Sequence, residues 1–250
     1  MHTLRTRFPL ILLGLLALLS GVSPPVLRAW RYDGRTLVAV SPGEAYAAQT
    51  VSDPKTPQAT LPPTADLDGD GLAERLALQG GRMAIYPAED GEPAWQSPES
   101  WQVRQALVTD LDADGQLELA LLVWRPFAPW PVDSFLPHGG YIAEHHDRRG
   151  RSCHVVLIHW KGDEYRELWA GSALARPLRS LLAADLDGDG RQELAALEGR
   201  YTDPLFLPAR SLAIWAWNGF GFDLQARLEG RFHRITVVPA GEAETILLGD

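Results

Sequence analysis

Three nine-residue segments of the chain share one arrangement of carboxylates. They span residues 66–74 (DLDGDGLAE), 110–118 (DLDADGQLE) and 185–193 (DLDGDGRQE). In each segment, acidic residues stand at positions one, three, five and nine, and a glycine stands at position six. Oxygen ligands grouped around a tight glycine turn are typical of sites for hard cations, and Ca²⁺ accepts this many carboxylates. The sequence therefore predicts three calcium loops.

Two other interpretations of these segments fit the sequence less well. An EF-hand requires a bidentate glutamate at position twelve, whereas the chain has Ala77, Leu121 and Ala196 there, and no helical pattern flanks the loops. An acidic turn without an ion would leave four carboxylates repelling one another in every copy. The second loop departs most from the pattern because Ala113 replaces the glycine at position four.

Each loop lies between two short apolar runs. These runs are too short for helices and are bounded by turn residues, so they predict strands on both sides of the loop. Residues 30–34, 158–162 and 215–219 carry a second repeated pattern, in which bulky residues two apart precede an x-Gly turn. Asp-Gly and Asn-Gly turns favour hairpins, and residues 84–91 carry a related pattern with a longer turn. The repeating unit is thus a strand, a hairpin, a strand and a calcium loop.

A repeat of several tens of residues with about four strands is the signature of a β-propeller. The loops begin at residues 66, 110 and 185, so the second interval is longer than the first. The excess falls in one insertion, residues 126–152.

A D-x-D-x-D-G-x-x-E loop that runs directly into a strand resembles the FG-GAP or VCBS repeat, the calcium-bearing unit of integrin α-subunit propellers and of many secreted bacterial proteins. The resemblance covers about residues 61–250 and rests on loops and strands, since only Phe220-Gly221 resembles the phenylalanine-glycine phrase of the family. It implies about three Ca²⁺ ions, each held by four carboxylates and the backbone carbonyl at position seven. The implied ligands are Asp66, Asp68, Asp70, Leu72, Glu74, Asp110, Asp112, Asp114, Gln116, Glu118, Asp185, Asp187, Asp189, Arg191 and Glu193.

The two ends of the chain complement each other. The first hairpin, at Trp30, has no preceding strand, and the apolar run at residues 244–249 has no following hairpin. Pairing them would close about four blades into a ring, N-terminus to C-terminus, and would remove exposed strand edges. The alternative is an open arc of three blades in which residues 41–64, rich in Pro, Thr and Ala, form a flexible linker. We predict an all-β propeller of about four blades over residues 26–250.

The N-terminus predicts export. Two arginines precede an apolar stretch at residues 8–22, which is short for a membrane-spanning helix. Residues 1–25 are interpreted as a signal peptide, with an uncleaved signal anchor as the alternative because two prolines follow the apolar stretch. We expect a secreted or extracytoplasmic protein that contacts a membrane only through such an anchor. Because Cys153 is the single cysteine, no internal disulfide can form, and calcium would take over that stabilising role.

Acidity in the chain is concentrated in the loops. They hold twelve of the 32 acidic residues, so the rest of the chain, with 23 Lys and Arg, is slightly basic. No basic stripe or basic helix stands out. We therefore predict no nucleic-acid partner.

The insertion at residues 126–152 is the one stretch that the repeat does not require. A solvated loop is the simpler interpretation, because no metal-binding spacing of histidines is present. A second polar or metal site is the alternative, since long loops often carry function. The side chains that could form it are Trp130, Asp133, His138, Tyr141, Glu144, His145, His146 and Asp147.

Seven of the nine tryptophans fall into two classes. Those at matched positions of the repeat are expected to pack between blades: Trp30, Trp160, Trp215 and Trp217. Those off the repeat are the better candidates for ligand contacts: Trp101, Trp124 and Trp130.

These patterns predict an exported, calcium-binding propeller that acts as a binding or interaction module without catalysis of its own. Its partner would be a protein or a carbohydrate. The first alternative is a carbohydrate-binding lectin, which would need exposed Trp or Tyr in repeated pockets between blades. The second is an extracellular polysaccharide lyase or another enzyme, which would need Lys, Arg, His or Tyr converging in a groove, supplied in part by the insertion.

Overall fold

The computed structural model describes residues 28–41, 61–89, 91–128, 144–204, 206–239 and 245–249. These residues form sixteen strands and no helix. Sheet 1 contains β3 (Thr64–Ala65), β4 (Glu74–Gln79), β5 (Arg82–Tyr86) and β6 (Trp95–Gln96). Sheet 2 contains β7 (Gln102–Thr109), β8 (Glu118–Pro126), β9 (Arg151–Trp160) and β10 (Tyr165–Ala170). Sheet 3 contains β11 (Leu178–Ala184), β12 (Glu193–Glu198), β13 (Ala209–Trp217) and β14 (Phe222–Phe232).

Sheet 4 is built from both ends of the chain. Its strand order is β15 (Ile235–Pro239), β16 (Thr245–Gly249), β1 (Arg28–Tyr32) and β2 (Leu37–Val40). β1 and β16 are antiparallel, with Trp30 opposite Leu247. The predicted pairing of the chain ends is thus present, and there are four sheets where the arc alternative has three. The all-β prediction is confirmed, and every sheet is antiparallel and four-stranded.

The strands that follow the second and third loops are deeply buried. β8 and β12 consist of nearly continuous apolar residues, and almost all their side chains are buried. A strand covered on both faces has this composition, in contrast to the alternating pattern of a half-exposed strand. The predicted hairpins are also present. In the last one, between β13 and β14, Gly219 has a φ of +92°, which glycine adopts without strain.

Three hydrophobic clusters join neighbouring sheets. One is shared by sheets 1 and 2, one by sheets 2 and 3, and one by sheets 3 and 4. Among the described residues no hydrophobic cluster joins sheets 1 and 4. Sheets 1 to 4 therefore pack against one another in sequence.

The tryptophans at repeated positions pack in these clusters as predicted. Trp30 is buried, and Trp160, Trp215 and Trp217 are partly buried against the clusters. Trp101 and Trp124, the candidates for ligand contacts, have side chains that are only 7% and 8% exposed. Both fill space between sheets, a role that spacing along the chain does not reveal. Trp130 lies outside the described residues.

The leucine at position two of each loop anchors that loop to the core. Leu67, Leu111 and Leu186 are all buried. Each belongs to the cluster that its own sheet shares with the following sheet. The acidic side chains are thus held on a segment whose second residue is fixed by packing.

The predicted signal segment, residues 1–25, lies outside the described residues, as do most of the predicted linker and residues 129–143 of the insertion. Nowhere in the part of the chain that the structure describes is there a helix of the length and hydropathy needed to span a membrane.

Candidate metal centre

The three loops connect the first and second strands of sheets 1, 2 and 3. The residue before each loop and its ninth residue pair directly in the ladder: Ala65 with Glu74, Thr109 with Glu118, and Ala184 with Glu193. Each loop therefore leaves and re-enters its sheet at adjacent points. Its other acidic residues must gather within that narrow connection.

The aspartate at position one organises the turn. In the first loop, Gly69 N donates to Asp66 Oδ1 at 2.8 Å and Gly71 N donates to Asp66 Oδ2 at 3.1 Å. The third loop repeats both bonds, from Gly188 N and Gly190 N to Asp185, at 2.7 and 3.0 Å. Glycine at position six has a φ of +90°, +88° and +89° in the three loops, which explains why this position is glycine in each.

The aspartates at positions three and five are held by backbone donors as well. Asp70 N donates to Asp68 Oδ1 at 3.0 Å, and Leu72 N donates to Asp70 Oδ1 at 2.7 Å. The corresponding bonds recur in the other two loops. The acidic side chains are therefore positioned by the backbone of their own loop, and the same conformation forms three times.

The structure brings three carboxylates of each loop together. Their nearest oxygens lie within 4.8 Å of one another in the sets Asp66, Asp68, Asp70; Asp110, Asp112, Glu118; and Asp185, Asp187, Glu193. Glu74, Asp114 and Asp189 lie outside these sets. Within the described ranges, these loops contain all the clusters of three or more acidic, histidine or cysteine side chains that could hold one ion.

The glutamate at position nine is the most buried acid of each loop. Glu74, Glu118 and Glu193 are only 4%, 2% and 5% exposed. Each accepts a hydrogen bond from the backbone N–H of the leucine at position two, at 2.7 to 2.9 Å. None of the three forms an ion pair with a described residue. Each of these three buried carboxylates thus accepts a hydrogen bond from a leucine backbone N–H and has no Lys, Arg or His side chain paired with it.

Burial raises the pKa of these glutamates from an ordinary 4.5, to about 8 for Glu118 and about 7 for Glu193. The backbone N–H opposes this shift, and the neighbouring aspartates add to it through like-charge repulsion. The pKa of Glu74 is raised for the same reasons. Each loop therefore needs a proton or a cation to neutralise its charge.

The second loop differs locally, as its sequence suggests. Ala113 has a φ of +58°, in the left-handed region where Gly69 has +77°. In the first and third loops the backbone N–H of position four donates to Oδ1 of the first aspartate. In the second loop this bond comes from position five, where Asp114 N donates to Asp110 Oδ1 at 3.1 Å. The loop keeps its overall conformation at the expense of a strained alanine.

Two tyrosines that the sequence interpretation missed lie beside the loops. Burial and the nearby Glu74 and Asp68 raise the pKa of Tyr165, and burial with the nearby Glu193 raises the pKa of Tyr32 to about 12. Both hydroxyls are therefore held protonated next to carboxylates. The hairpins themselves were predictable, but their position against another sheet's loop was not.

Glutamines connect successive loops. Gln116 Nε2 of the second loop donates to the Leu67 carbonyl of the first at 3.0 Å. Gln192 Oε1 of the third loop accepts from Thr109 Oγ1, next to the second, at 2.5 Å. The loops thus form one continuous acidic edge along the sheets.

The described end of the insertion does not form a second metal site. His145 Nδ1 lies 3.3 Å from the Ala173 carbonyl, and His146 Nδ1 lies 2.8 Å from the Asp147 carbonyl. Asp147 accepts from the backbone N–H groups of Arg149 and Arg151. These side chains shape the turn into β9, and His138 lies outside the described residues.

Comparison of the chain with protein-family models found no match, and comparisons with curated proteins and with solved structures found no significant similarity.

Proposed function

We propose that this protein is an exported, calcium-loaded β-propeller whose ions are structural and whose role is to bind a partner. The observation that carries the proposal is the repeated burial of Glu74, Glu118 and Glu193 without a cationic side chain. A buried carboxylate is strongly destabilising unless it is paired or coordinates a metal. Three copies in one conformation favour a common ligand.

Calcium suits these loops better than magnesium. Asp66, Asp68 and Asp70 bring three carboxylates together on one irregular loop. Ca²⁺ tolerates such flexible geometry and several carboxylates, whereas Mg²⁺ demands near-octahedral geometry and usually keeps its waters. Extracellular calcium modules function with a Kd of about 10⁻⁴ to 10⁻³ M, which suffices outside the cell.

The propeller arrangement is supported by the order of packing. Sheets 1 to 4 pack in sequence through three clusters, and β1 and β16 join the two ends of the chain in sheet 4. Closing sheet 4 onto sheet 1 would bury the remaining open faces, as propellers do. A pair of cysteines introduced across that junction would cross-link in a ring and fail to do so in an open arc.

A binding role is favoured over the two alternatives. A lectin would present tryptophans in repeated exposed pockets, but Trp30, Trp160, Trp215 and Trp217 pack between sheets. An enzyme would need a proton donor or acceptor in a groove. The best-placed tyrosine, Tyr201, donates its hydroxyl to the Leu174 carbonyl at 2.8 Å and accepts from Cys153 N at 3.1 Å, so its hydroxyl is already engaged.

The test is calcium-dependent thermal unfolding of the protein, with and without chelator, combined with a count of bound ions. We expect about three ions and a large rise in melting temperature, because calcium binds the folded loops far better than the unfolded chain. Magnesium at the same concentration should give a much smaller rise. A melting temperature that does not respond to calcium would rule out the metal assignment.

The assignment to an exported protein rests on the N-terminal sequence and needs a separate test. Fractionation of cells that produce the tagged protein should place it outside the cytoplasm, in either soluble or membrane-anchored form. Replacing the two arginines that precede the apolar stretch with glutamates should retain it in the cytoplasm.

A further inference from the structure

A basic cleft lies between sheets 2 and 3, at the ends of their strands farthest from the calcium loops. Its main cavity has a volume of about 380 Å³, and an adjoining cavity of about 370 Å³ shares Arg104, Trp124 and Arg179 with it. Arg104 and Arg179 each stand six residues before the first aspartate of the following loop. Because a strand rises about 3.3 Å per residue, the cleft lies about 20 Å from the acidic edge. The arginines that line the main cavity are Arg104, Arg149, Arg151, Arg179 and Arg200.

Two of these arginines are placed by matching irregularities in the sheets. In β7, Val103 pairs with Val123 and Gln105 with Leu122, which leaves Arg104 as the extra residue of a bulge. In β11, Leu178 pairs with Glu198 and Ser180 with Leu197, which leaves Arg179 in the same position. Bulges of this kind re-aim one side chain and are common beside functional sites. The repeat therefore directs one arginine into the cleft from each of two sheets.

The two bulged strands are fixed to each other. The Gln105 side chain donates to the Leu181 carbonyl at 2.7 Å and accepts from Leu181 N at 2.8 Å. Arg179 lies against Gly199, where a Cβ would stand only 2.8 Å from its Nε. Its Nη2 donates to the Asp203 carbonyl at 3.2 Å. The two bulged strands are thus held at a fixed separation, and the Arg179 guanidinium is held against Gly199 and the Asp203 carbonyl.

The cleft carries more positive than negative charge, because five arginines and two carboxylates, Asp147 and Asp203, line its main cavity. None of the five arginines forms an ion pair with a described residue. The two carboxylates at its edge are engaged elsewhere. Asp203 binds Arg210 through two bonds of 2.6 and 2.9 Å, and Asp147 accepts from backbone N–H groups. Five guanidinium groups against two carboxylates leave an excess of positive charge that favours an anion.

One wall of the cleft is aromatic. The rings of Trp124 and Tyr201 meet edge to face at 5.7 Å, and both line the main cavity. A cavity of this size accommodates a ligand of about one sugar ring. Guanidinium groups match carboxylate, sulfate and phosphate oxygens through paired N–H donors. The cleft therefore offers donors for an oxyanion and an apolar surface for the rest of the ligand.

We propose that this cleft binds a small ligand bearing a carboxylate, sulfate or phosphate group, held by Arg104 and Arg179 and packed near Trp124. The proposal rests on the binding role proposed above, for which it names a ligand class. It does not depend on calcium, because the cleft and the loops are at opposite ends of the strands.

The test is a binding titration of the calcium-loaded protein at constant ionic strength, with sulfate, glucuronate and glucose as probes and intrinsic tryptophan fluorescence as the signal. We expect saturable binding of sulfate or glucuronate and none of glucose. Tighter binding of glucuronate than of sulfate would assign the site to acidic sugars, and equal binding would assign it to the oxyanion group alone. Both outcomes support the proposal.

Arg104→Gln is the decisive variant, because Arg104 is exposed and its loss should leave the fold intact. We expect its Kd to rise about tenfold, since a charge-assisted hydrogen bond is lost. Arg104→Lys should recover only part of the affinity, because lysine cannot bind two oxygens in a fork. Arg35→Gln, an exposed arginine in the β1–β2 turn, is the matched control and should bind as the unaltered protein does.

Absence of saturable binding to sulfate and glucuronate would overturn the proposal, as would an equal loss of affinity in Arg104→Gln and Arg35→Gln. The melting temperature of each sample with and without calcium separates this failure from failure of the calcium proposal. A calcium response without anion binding refutes only the cleft, and anion binding without a calcium response refutes only the loops.

Discussion

The two ends of β12 bury the same side chain in opposite ways. Glu198, at one end, is 1% exposed and meets Arg227 through two hydrogen bonds of 2.7 and 2.8 Å, with Ser211 Oγ at 2.8 Å. Glu193, at the other end, is 5% exposed and has one backbone N–H and a group of aspartates around it. The strand therefore carries one buried charge that is neutralised within the protein and one that is not.

The difference shows which charge requires an external ligand. A buried carboxylate with its own guanidinium forms a complete structural unit. A buried carboxylate among other carboxylates is neutralised only by a proton or by a cation from solution. The four predictions below test this comparison, from the largest expected effect to the smallest.

Arg227→Met should destabilise the protein by about 3 to 5 kcal/mol, because it leaves Glu198 buried without its main partner. The more distant Arg176, 3.5 Å from Glu198, keeps the effect toward the lower value. Urea unfolding with and without calcium measures it, and the loss should be the same in both. The double variant with Glu198→Leu is the control and should recover most of the stability. A loss below about 1 kcal/mol would show that Glu198 does not need Arg227.

Glu193→Gln should lower the stability only when calcium is present, in contrast to Arg227→Met. At calcium concentrations about 100 times the Kd, it should remove about 2.7 kcal/mol of calcium-dependent stabilisation and reduce the ion count by one. Without calcium, it should leave the stability equal or higher, since it removes a buried charge. Urea unfolding in the two conditions separates these effects. Destabilisation without calcium as large as with calcium would mean that Glu193 acts only through its hydrogen bond to Leu186.

The calcium-free protein should lose stability as the pH rises from about 4.5 to about 8. The folded-state pKa of Glu193 is raised to about 7 and that of Glu118 to about 8, so the folded state binds more protons than the unfolded state across this range. Calcium replaces these protons and should flatten or reverse the dependence. Urea midpoints at pH 5 and pH 8, after calcium has been removed, measure the slope. Midpoints that rise with pH in the calcium-free protein would contradict the assignment.

Ala113→Gly should stabilise the second loop by about 0.5 to 1 kcal/mol. Glycine relieves the strain of a positive φ, and its greater conformational entropy in the unfolded chain offsets part of that gain. Gly69→Ala in the first loop is the matched reverse change and should destabilise by a similar amount, since a Cβ there has free space and only the backbone conformation opposes it. Thermal unfolding with calcium compares the two. If both changes leave the melting temperature the same, the left-handed turn is not required.

The sequence predicted the features that depend on local chemistry. The position-six glycines, the hairpin at Gly219 and the strands on both sides of each loop follow from turn preferences and apolar runs, and all are present. The pairing of chain ends was predictable because each end lacked a neighbour. The features that depend on contact between sheets were not predicted. Trp124 fills such a contact, and Tyr32 and Tyr165 lie beside loops that belong to a different sheet.

The basic cleft could have been detected in part. The segments VRQAL and LRSLL place an arginine six residues before the first aspartate in two of the three repeats, at Arg104 and Arg179. That spacing is a visible signal. What it cannot reveal is that both arginines are bulged, since a bulge depends on the register of the neighbouring strand.

Sheet 4 also has a consequence for the order in which the chain can fold. Its central pair joins Arg28 to Gly249, residues more than 200 positions apart, so the hairpin of β1 and β2 lacks this neighbour until β16 has been synthesised. Closing so long a loop is entropically unfavourable, and contacts this distant form slowly. Until then β1 presents an unpaired edge containing Trp30, and such an edge can pair with another chain. Premature release during synthesis, or loss of β16 to a protease, would therefore favour aggregation over a shortened native fold.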